Sequence, residues 1–158
     1  MNYKINKAVF GAGCFWGVED VFRKLKGVKS TIVGYMGGKM KNPTYEKVCT
    51  DKTGHAEVVL VEYNPEEISY DKLLDIFWKI HDPTQLNRQG LDMGTQYRSI
   101  IFYYNGEQKK KAMESKKKFE KSKKYKSKIV TEIVKASEFY KAEDYHQKYL
   151  MKRGLNVC

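Results

Sequence analysis

Three cysteines, at positions 14, 49 and 158, are the residues of this chain best suited to do chemistry. They are too few and too far apart for a disulfide framework or a paired-cysteine zinc site, so reactive thiols are the natural reading. His55, His81 and His146 do not fall at metal-ligand spacing, and neither a metal nor another cofactor is expected. Cys14 has the most telling surroundings. It follows Gly11-Ala12-Gly13 and precedes a helical pattern, so its sulfur lies where unpaired backbone N–H groups and the helix dipole favour an anion. A thiolate at such a position is a nucleophile. Gly13 and Gly17 reduce crowding around it, and Phe15 and Trp16 offer an apolar wall for a small hydrophobic group. Position alone leaves a second reading open, a small buried cysteine at a strand–helix junction.

The elements that must hold Cys14 can be read from periodicity. Ile5 to Phe10 is expected as a strand, followed by a helix with Val18, Val21, Phe22 and Leu25 on one face and Gly27 closing it. Ser30 to Tyr35 is a second strand, and a long polar loop then runs to Gly54. A buried strand, Val58 to Tyr63, ends at Asn64-Pro65. Ser69 should cap a helix whose apolar side carries Tyr70, Leu73, Leu74, Phe77, Trp78 and His81, stopped by Asp82-Pro83. A second long loop, Thr84 to Tyr97, leads into a strand from Ser99 to Tyr104. A lysine-rich helix is expected over 107–128, and Ile129 to Val134 is a last strand.

This order, βαβ followed by βαβ, predicts an α+β fold. It is a two-layer α/β sandwich with a ferredoxin-like core, a mixed sheet and C-terminal extensions. The whole chain, 1–158, reads as a single catalytic domain, with 151–158 as a mobile tail. Two long loops without structure of their own are uncommon in a compact domain and are usually functional.

The formal net charge of +11 raises the question of nucleic acid. Most of the excess is local: between Glu107 and Lys128 there are eleven lysines against three glutamates. Ala112, Ser115, Phe119 and Ser122 form a sparse apolar stripe there, which describes a solvated helix. With few aromatics and no arginine in that run, nucleic-acid binding is not expected. No stretch approaches the roughly 18 apolar residues of a membrane span, and no signal peptide is evident, so a cytoplasmic protein is expected.

Gly13-Cys14-Phe15-Trp16-Gly17 resembles the signature of the peptide methionine sulfoxide reductase A family. The resemblance continues through Gly34-Tyr35, Asn42-Pro43-Thr44-Tyr45, Gly54-His55-Ala56-Glu57, His81-Asp82-Pro83-Thr84 and Gly94-Thr95-Gln96-Tyr97-Arg98-Ser99. It ends at Ala142-Glu143-Asp144-Tyr145-His146-Gln147, covering nearly the whole chain in order. The resemblance implies that Cys14 attacks the sulfur of methionine S-sulfoxide, free or in proteins. Such chemistry needs an acid, because the sulfoxide oxygen leaves poorly unless protonated; the resemblance implies Glu57, whose partial burial would raise its pKa. It places Tyr45 and Tyr97 as donors to the oxygen and Asp92 as a hydrogen-bonding, positioning residue. Phe15 and Trp16 would cage the methyl group.

The sulfenic acid left on Cys14 would condense with a second thiol. Cys49 lies among polar loop residues. Cys158 is the last residue, at the family's resolving position, and eight residues beyond Leu150 span at most about 27 Å. Many relatives continue into a glycine-rich tail with a further cysteine, which this sequence does not have. The Cys14–Cys158 disulfide should therefore itself be reduced by an external dithiol such as thioredoxin. A monomer is expected. Two other readings compete: a cysteine hydrolase or acyltransferase with His146 or His55 as base, and a basic nucleic-acid-binding module.

Overall fold

The computed structural model describes residues 4–154. Its centre is a six-stranded sheet. Strand β1 (Asn6–Ala12) leads into helix α1 (Phe15–Arg23) and returns as β2 (Val28–Met36), which is followed by the short helix α2 (Tyr45–Val48) and by β3 (Ala56–Tyr63). Helix α3 (Tyr70–Lys79) then crosses, past a two-residue hairpin β4 (Arg88–Gln89) and β5 (Asp92–Met93), to β6 (Ser99–Tyr103). Helix α4 (Gly106–Lys121), β7 (Glu132–Lys135), β8 (Tyr140–Lys141) and helix α5 (Tyr149–Lys152) complete the described chain.

The sheet order is β7-β6-β1-β3-β2-β8, with β6-β1-β3-β2 antiparallel throughout and β7 added parallel to β6. The four central strands, with α1 and α3 as crossovers, make the ferredoxin-like core, and β7 and β8 extend it at both edges. Alternation along each strand sorts the side chains into two layers. Ala8, Phe10, Val33, Tyr35, Val59, Val61 and Ile101 meet the helices, where Phe10 stacks on Phe22 at 5.2 Å and tilts against Phe77 at 5.4 Å. Each such ring, fully buried, contributes about 1.5–3 kcal/mol. Val9, Val58, Leu60, Ile100 and Phe102 face the other way and are covered by Val134, Ala136 and Phe139.

Ser69 caps α3 as expected, accepting from the Lys72 N–H at 3.0 Å. Three sequence expectations need correction. In α1 the buried stripe is Phe15, Val18, Glu19 and Phe22, while Val21 is exposed and Leu25 lies beyond the last helical residue. A carboxylate, Glu19, holds a core position that an apolar search passes over. The lysine-rich helix stops at Lys121, because Lys123 adopts a left-handed φ of 54° and residues 122–128 turn toward β7. Finally, the segment expected as a tail from 151 begins inside α5, whose Leu150 is buried. Cys158 lies outside the described residues.

Candidate active site

The site forms at one end of the central strands. After β1, Gly13 takes a φ of +100°, and a Cβ there would stand 2.9 Å from the Gln89 side chain. Only glycine fits this turn. It delivers Cys14 to the N-cap of α1, half-buried, with Phe15 as the first helical residue. On β3 the register sets Glu57 opposite Tyr35 of β2. Glu57 is 1% exposed, and its Oε1 accepts the Phe15 N–H at 3.2 Å. A carboxyl from one strand thus satisfies one of the open N–H groups at the start of the helix that carries Cys14.

The first long loop contributes Tyr45. Thr44 caps α2 through Lys47 N–H, so Tyr45 opens a helical turn that fixes its direction. The Tyr45 hydroxyl lies within hydrogen-bonding reach of Tyr97, which comes from the 3-10 turn of the second loop. Burial and the charge of Glu57 push both phenols above the ordinary tyrosine range, so both keep their protons at neutral pH. Asp92 is exposed on β5, close enough to Tyr97 for its charge to be felt there. The two loops are tied together where Thr95 N–H and hydroxyl donate to Asp51.

Phe15 is 1% exposed, packed against Tyr35 at 5.8 Å, Tyr45 at 6.4 Å and His146 at 5.1 Å. Trp16 is half-buried and is held on two sides. Its indole N–H donates to His146 Nδ1 at 2.9 Å, and Tyr149 stacks on its face at 3.7 Å. Arg153 in turn covers the Tyr149 ring at 4.4 Å.

The C-terminal segment that supplies these contacts is anchored residue by residue. Glu143 accepts from the Tyr35 hydroxyl and from Tyr45 N–H, both at 2.9 Å. Burial acts to raise its pKa, but these donors and the nearby His146 outweigh it and hold the carboxyl below its usual range. The Gln147 amide bonds Val33 N–H, Val33 C=O and Ala142 C=O, as a strand residue would. Lys148 turns with a φ of 52°, and its N–H donates to the buried Glu19 at 2.6 Å; Thr31 donates to the other Glu19 oxygen at 2.7 Å.

The sequence did not assign these roles to Glu19, Glu143, Gln147 or Tyr149, and His146 entered only as a base for a rival mechanism. The signals available were a glutamate at an apolar-stripe position in α1 and the density of polar residues in Glu143-Asp144-Tyr145-His146-Gln147. For a hydrolase, the proposed bases are already engaged. His55 receives Gly38 N–H on Nδ1 at 3.0 Å and meets Met40 C=O through Nε2 at 2.7 Å. His146 receives Trp16 on Nδ1, with Nε2 turned toward Glu143 at 4.0 Å.

Cys49 ends α2, exposed as a residue. Desolvation of its thiol and the charges of Glu57 and Glu143 raise its pKa against the opposing hydrogen bond to Tyr45, which keeps it a protonated, weak nucleophile. Among the described residues no cluster of histidine, cysteine or carboxylate side chains could hold a metal ion, and no helix is long and apolar enough to cross a membrane.

Residues 6–158 match the family model described as peptide methionine sulfoxide reductase. The chain belongs to this family. It is 59% identical over 155 residues to the peptide methionine sulfoxide reductase MsrA of Methanothermobacter thermautotrophicus, a match covering 98% of this chain and 92% of that one. It is 61% identical over 150 residues to the MsrA of Methanosarcina acetivorans, covering 95% and 80%. Enzyme class and subfamily A are thereby those its motifs led one to expect. The fold superimposes on reduced Mxr1 from Saccharomyces cerevisiae with a TM-score of 0.91 at 36% identity, covering 99% of this chain and 92% of that one. Mxr1 has also been solved in complex with Trx2; that chain matches with a TM-score of 0.65 at 27% identity over 94% and 89% of the two chains.

Proposed function

We propose that this family member reduces methionine S-sulfoxide to methionine with Cys14 as nucleophile and Glu57 as acid. The Cys14 sulfur attacks the sulfoxide sulfur while Glu57 gives its proton to the oxygen. The protonated oxygen then departs as hydroxide from the sulfur–sulfur adduct, and hydroxide adds to the Cys14 sulfur and breaks that bond, so that methionine leaves with the bonding pair and Cys14 remains as the sulfenic acid. Tyr45 and Tyr97, two protonated hydroxyls beside each other, hold the oxygen as charge builds on it. Trp16 and Phe15, which both pack against His146, receive the methyl group, and Asp92 acts as a positioning residue near Tyr97. A donor side and an apolar side would discriminate the two epimers at sulfur.

One observation carries this reading: the buried Glu57 carboxyl is bonded to the backbone N–H of the residue after Cys14, 3.2 Å away. It sets the proposed proton donor beside the helix start that favours a sulfur anion.

For turnover, Cys158 attacks the sulfenic sulfur, releasing water and forming a Cys14–Cys158 disulfide, which two electrons and two protons from a dithiol restore. Gly154 lies one residue beyond the Arg153 that covers Tyr149, and the four residue steps to Cys158 span at most about 14 Å. The complex of Mxr1 with Trx2 supports a thioredoxin-type dithiol as reductant. The reading takes 1–158 as one catalytic unit that acts as a monomer in the cytoplasm.

The test is a chiral assay with racemic methionine sulfoxide and dithiothreitol. One epimer should disappear as methionine forms, and Cys14→Ser should abolish the loss; persistence of both epimers with the parent enzyme refutes the assignment. Cys158→Ser should still reduce one equivalent per enzyme but should not cycle with thioredoxin. Undiminished cycling would take the resolving role away from Cys158.

A further inference from the structure

The three most exposed large apolar side chains among the described residues lie within one eight-residue stretch: Leu91 at 98%, Met93 at 69% and Leu86 at 67%. A single exposed leucine carries no message, but a concentration of such side chains does. The rest of this surface is dominated by the 30 lysines and arginines, so the stretch stands apart.

Its position is as specific as its composition. Gln89 packs its side chain over Gly13, next to Cys14, and is clamped to Asp82 by two hydrogen bonds of 2.9 Å. Met93 pairs with Arg88 and Asp92 with Gln89 across the small hairpin, with Gly90 and Leu91 at its turn. Gly94 N–H closes the loop on Asn87 C=O at 2.9 Å, and Thr95 binds it to Asp51. The apolar side chains are thus displayed on a braced support at the edge of the site, not on a loose loop. Near Trp16 and Tyr45, a further exposed ring, Tyr145 at 56%, packs 4.0 Å from His146.

We propose that Leu86, Leu91 and Met93 form an apolar rim that binds the hydrophobic residues flanking a methionine sulfoxide in an unfolded polypeptide. The inference rests on the reading that the sulfoxide is reduced at Cys14. A polypeptide whose sulfoxide reaches Cys14 must carry its neighbouring residues away over the edge of the site, and along this stretch the edge presents Leu86, Leu91 and Met93. Methionine is a core residue, and its oxidation puts a polar group where apolar contacts were. The segments that then come loose carry apolar neighbours, and free methionine sulfoxide has none. The rim therefore distinguishes oxidised protein from the free amino acid, which the cysteine and its acid do not. Complete burial of one such side chain corresponds to roughly ten- to hundredfold in affinity, and the partial cover available at a rim to about fivefold or tenfold.

The experiment measures kcat/KM with dithiothreitol, so that the resolving step does not enter, on three substrates. These are free methionine S-sulfoxide and two blocked pentapeptides with the sulfoxide at the centre, one flanked by serines, the other by leucine and phenylalanine. The parent should favour the apolar peptide over the serine peptide by about tenfold. The double variant Leu91→Ser, Met93→Ser should bring that ratio near one and leave the free amino acid unchanged, and Leu91→Ile should keep the preference. Equal use of both peptides by the parent overturns the proposal. So does an equal loss on all three substrates, which would make the loop a support of the site. Unchanged peptide rates combined with a lower thioredoxin-driven rate would assign the rim to the reductant and also overturn it. Failure of the parent on all three substrates is a different result, since it removes the reading at Cys14.

Discussion

Replacing His146 by phenylalanine isolates what the C-terminal segment does for Trp16. An aromatic ring stays, and with it the packing against Phe15, Tyr45 and Tyr145 at 5.1, 4.4 and 4.0 Å. What goes is the acceptor for the Trp16 indole N–H, which His146 holds at 2.9 Å. Such a bond contributes about 0.5–1.5 kcal/mol net, and leaving the donor without a partner costs about 1–3 kcal/mol. Stacking on Tyr149 retains part of the orientation, so a loss of about 1–2 kcal/mol is expected, or roughly five- to thirtyfold in kcat/KM. On the proposed reading Trp16 touches the methyl group before and during the reaction, so the loss should fall mainly on KM. A pH series supplies a second readout. Nδ1 accepts only in the neutral ring; protonation turns it into a donor facing another donor. Burial lowers the His146 pKa and the Glu143 charge opposes this, so the proton binds below the ordinary imidazole value of about 6.5. The parent KM should therefore rise as pH falls below that value, while His146→Phe stays flat. A variant within twofold of the parent, or the same acid limb in both proteins, would refute the clamp.

Glu57→Gln keeps an oxygen for the Phe15 N–H but cannot deliver a proton, so single-turnover reduction should slow by about 10²–10⁴ with little change in the thermal midpoint; an unaltered rate would remove Glu57 as the acid. Glu19→Ala leaves the Thr31 hydroxyl and the Lys148 N–H without their buried acceptor and should cost about 2–4 kcal/mol in urea unfolding, whereas Glu19→Gln should recover most of it. A cost under about 1 kcal/mol for alanine would show that these contacts carry little. His81, buried between Phe77 C=O and Ser99 Oγ, has its pKa lowered to about 4 by burial. The unfolded chain takes up this proton near pH 6.5 and the native state refuses it, so stability is full above about pH 6.5 and falls by about 3 kcal/mol as pH drops toward 4. Chemical denaturation of His81→Gln should lose that limb; an unchanged slope would assign it to other groups.

The core was legible because strands and crossover helices write their burial into alternation. The Val58 to Tyr63 strand opens with four consecutive apolar residues, three of them valines, the pattern of a strand covered on both faces. Ser69 announced the start of α3 through the ordinary chemistry of an N-cap. The failures have equally local causes. Glu19 took a core position with a charged side chain, since its partners, Thr31 and Lys148, lie 12 and 129 residues away in sequence. Lysine propensity extended α4 seven residues too far, because nothing in composition marks the left-handed turn at Lys123. Glu57, Tyr45 and Tyr97 were legible only through the family motifs: one carboxylate before a strand and two among twelve tyrosines have no distinguishing pattern of their own.

The geometry also explains why the end of the chain matters to a cysteine at its beginning. Cys14 and Trp16 belong to the first turn of α1, yet the partners that fix Trp16 are His146 and Tyr149. Glu143 binds Tyr35 and Tyr45 together, so the same short segment also sets the loop that carries a hydroxyl to the site. Glu19, about one helical turn after Phe15, works from the buried face of α1 and pins Lys148 just before α5. Residues 143–153 are thus wall and anchor at once. On the proposed reading the resolving thiol is joined to that anchor by a short length of chain, whereas Cys49 is kept protonated among Tyr45, Glu57 and Glu143. The proposed division of labour between the two spare thiols rests on that contrast: a tether that ends beside Trp16 for one, and a pKa raised by its surroundings for the other.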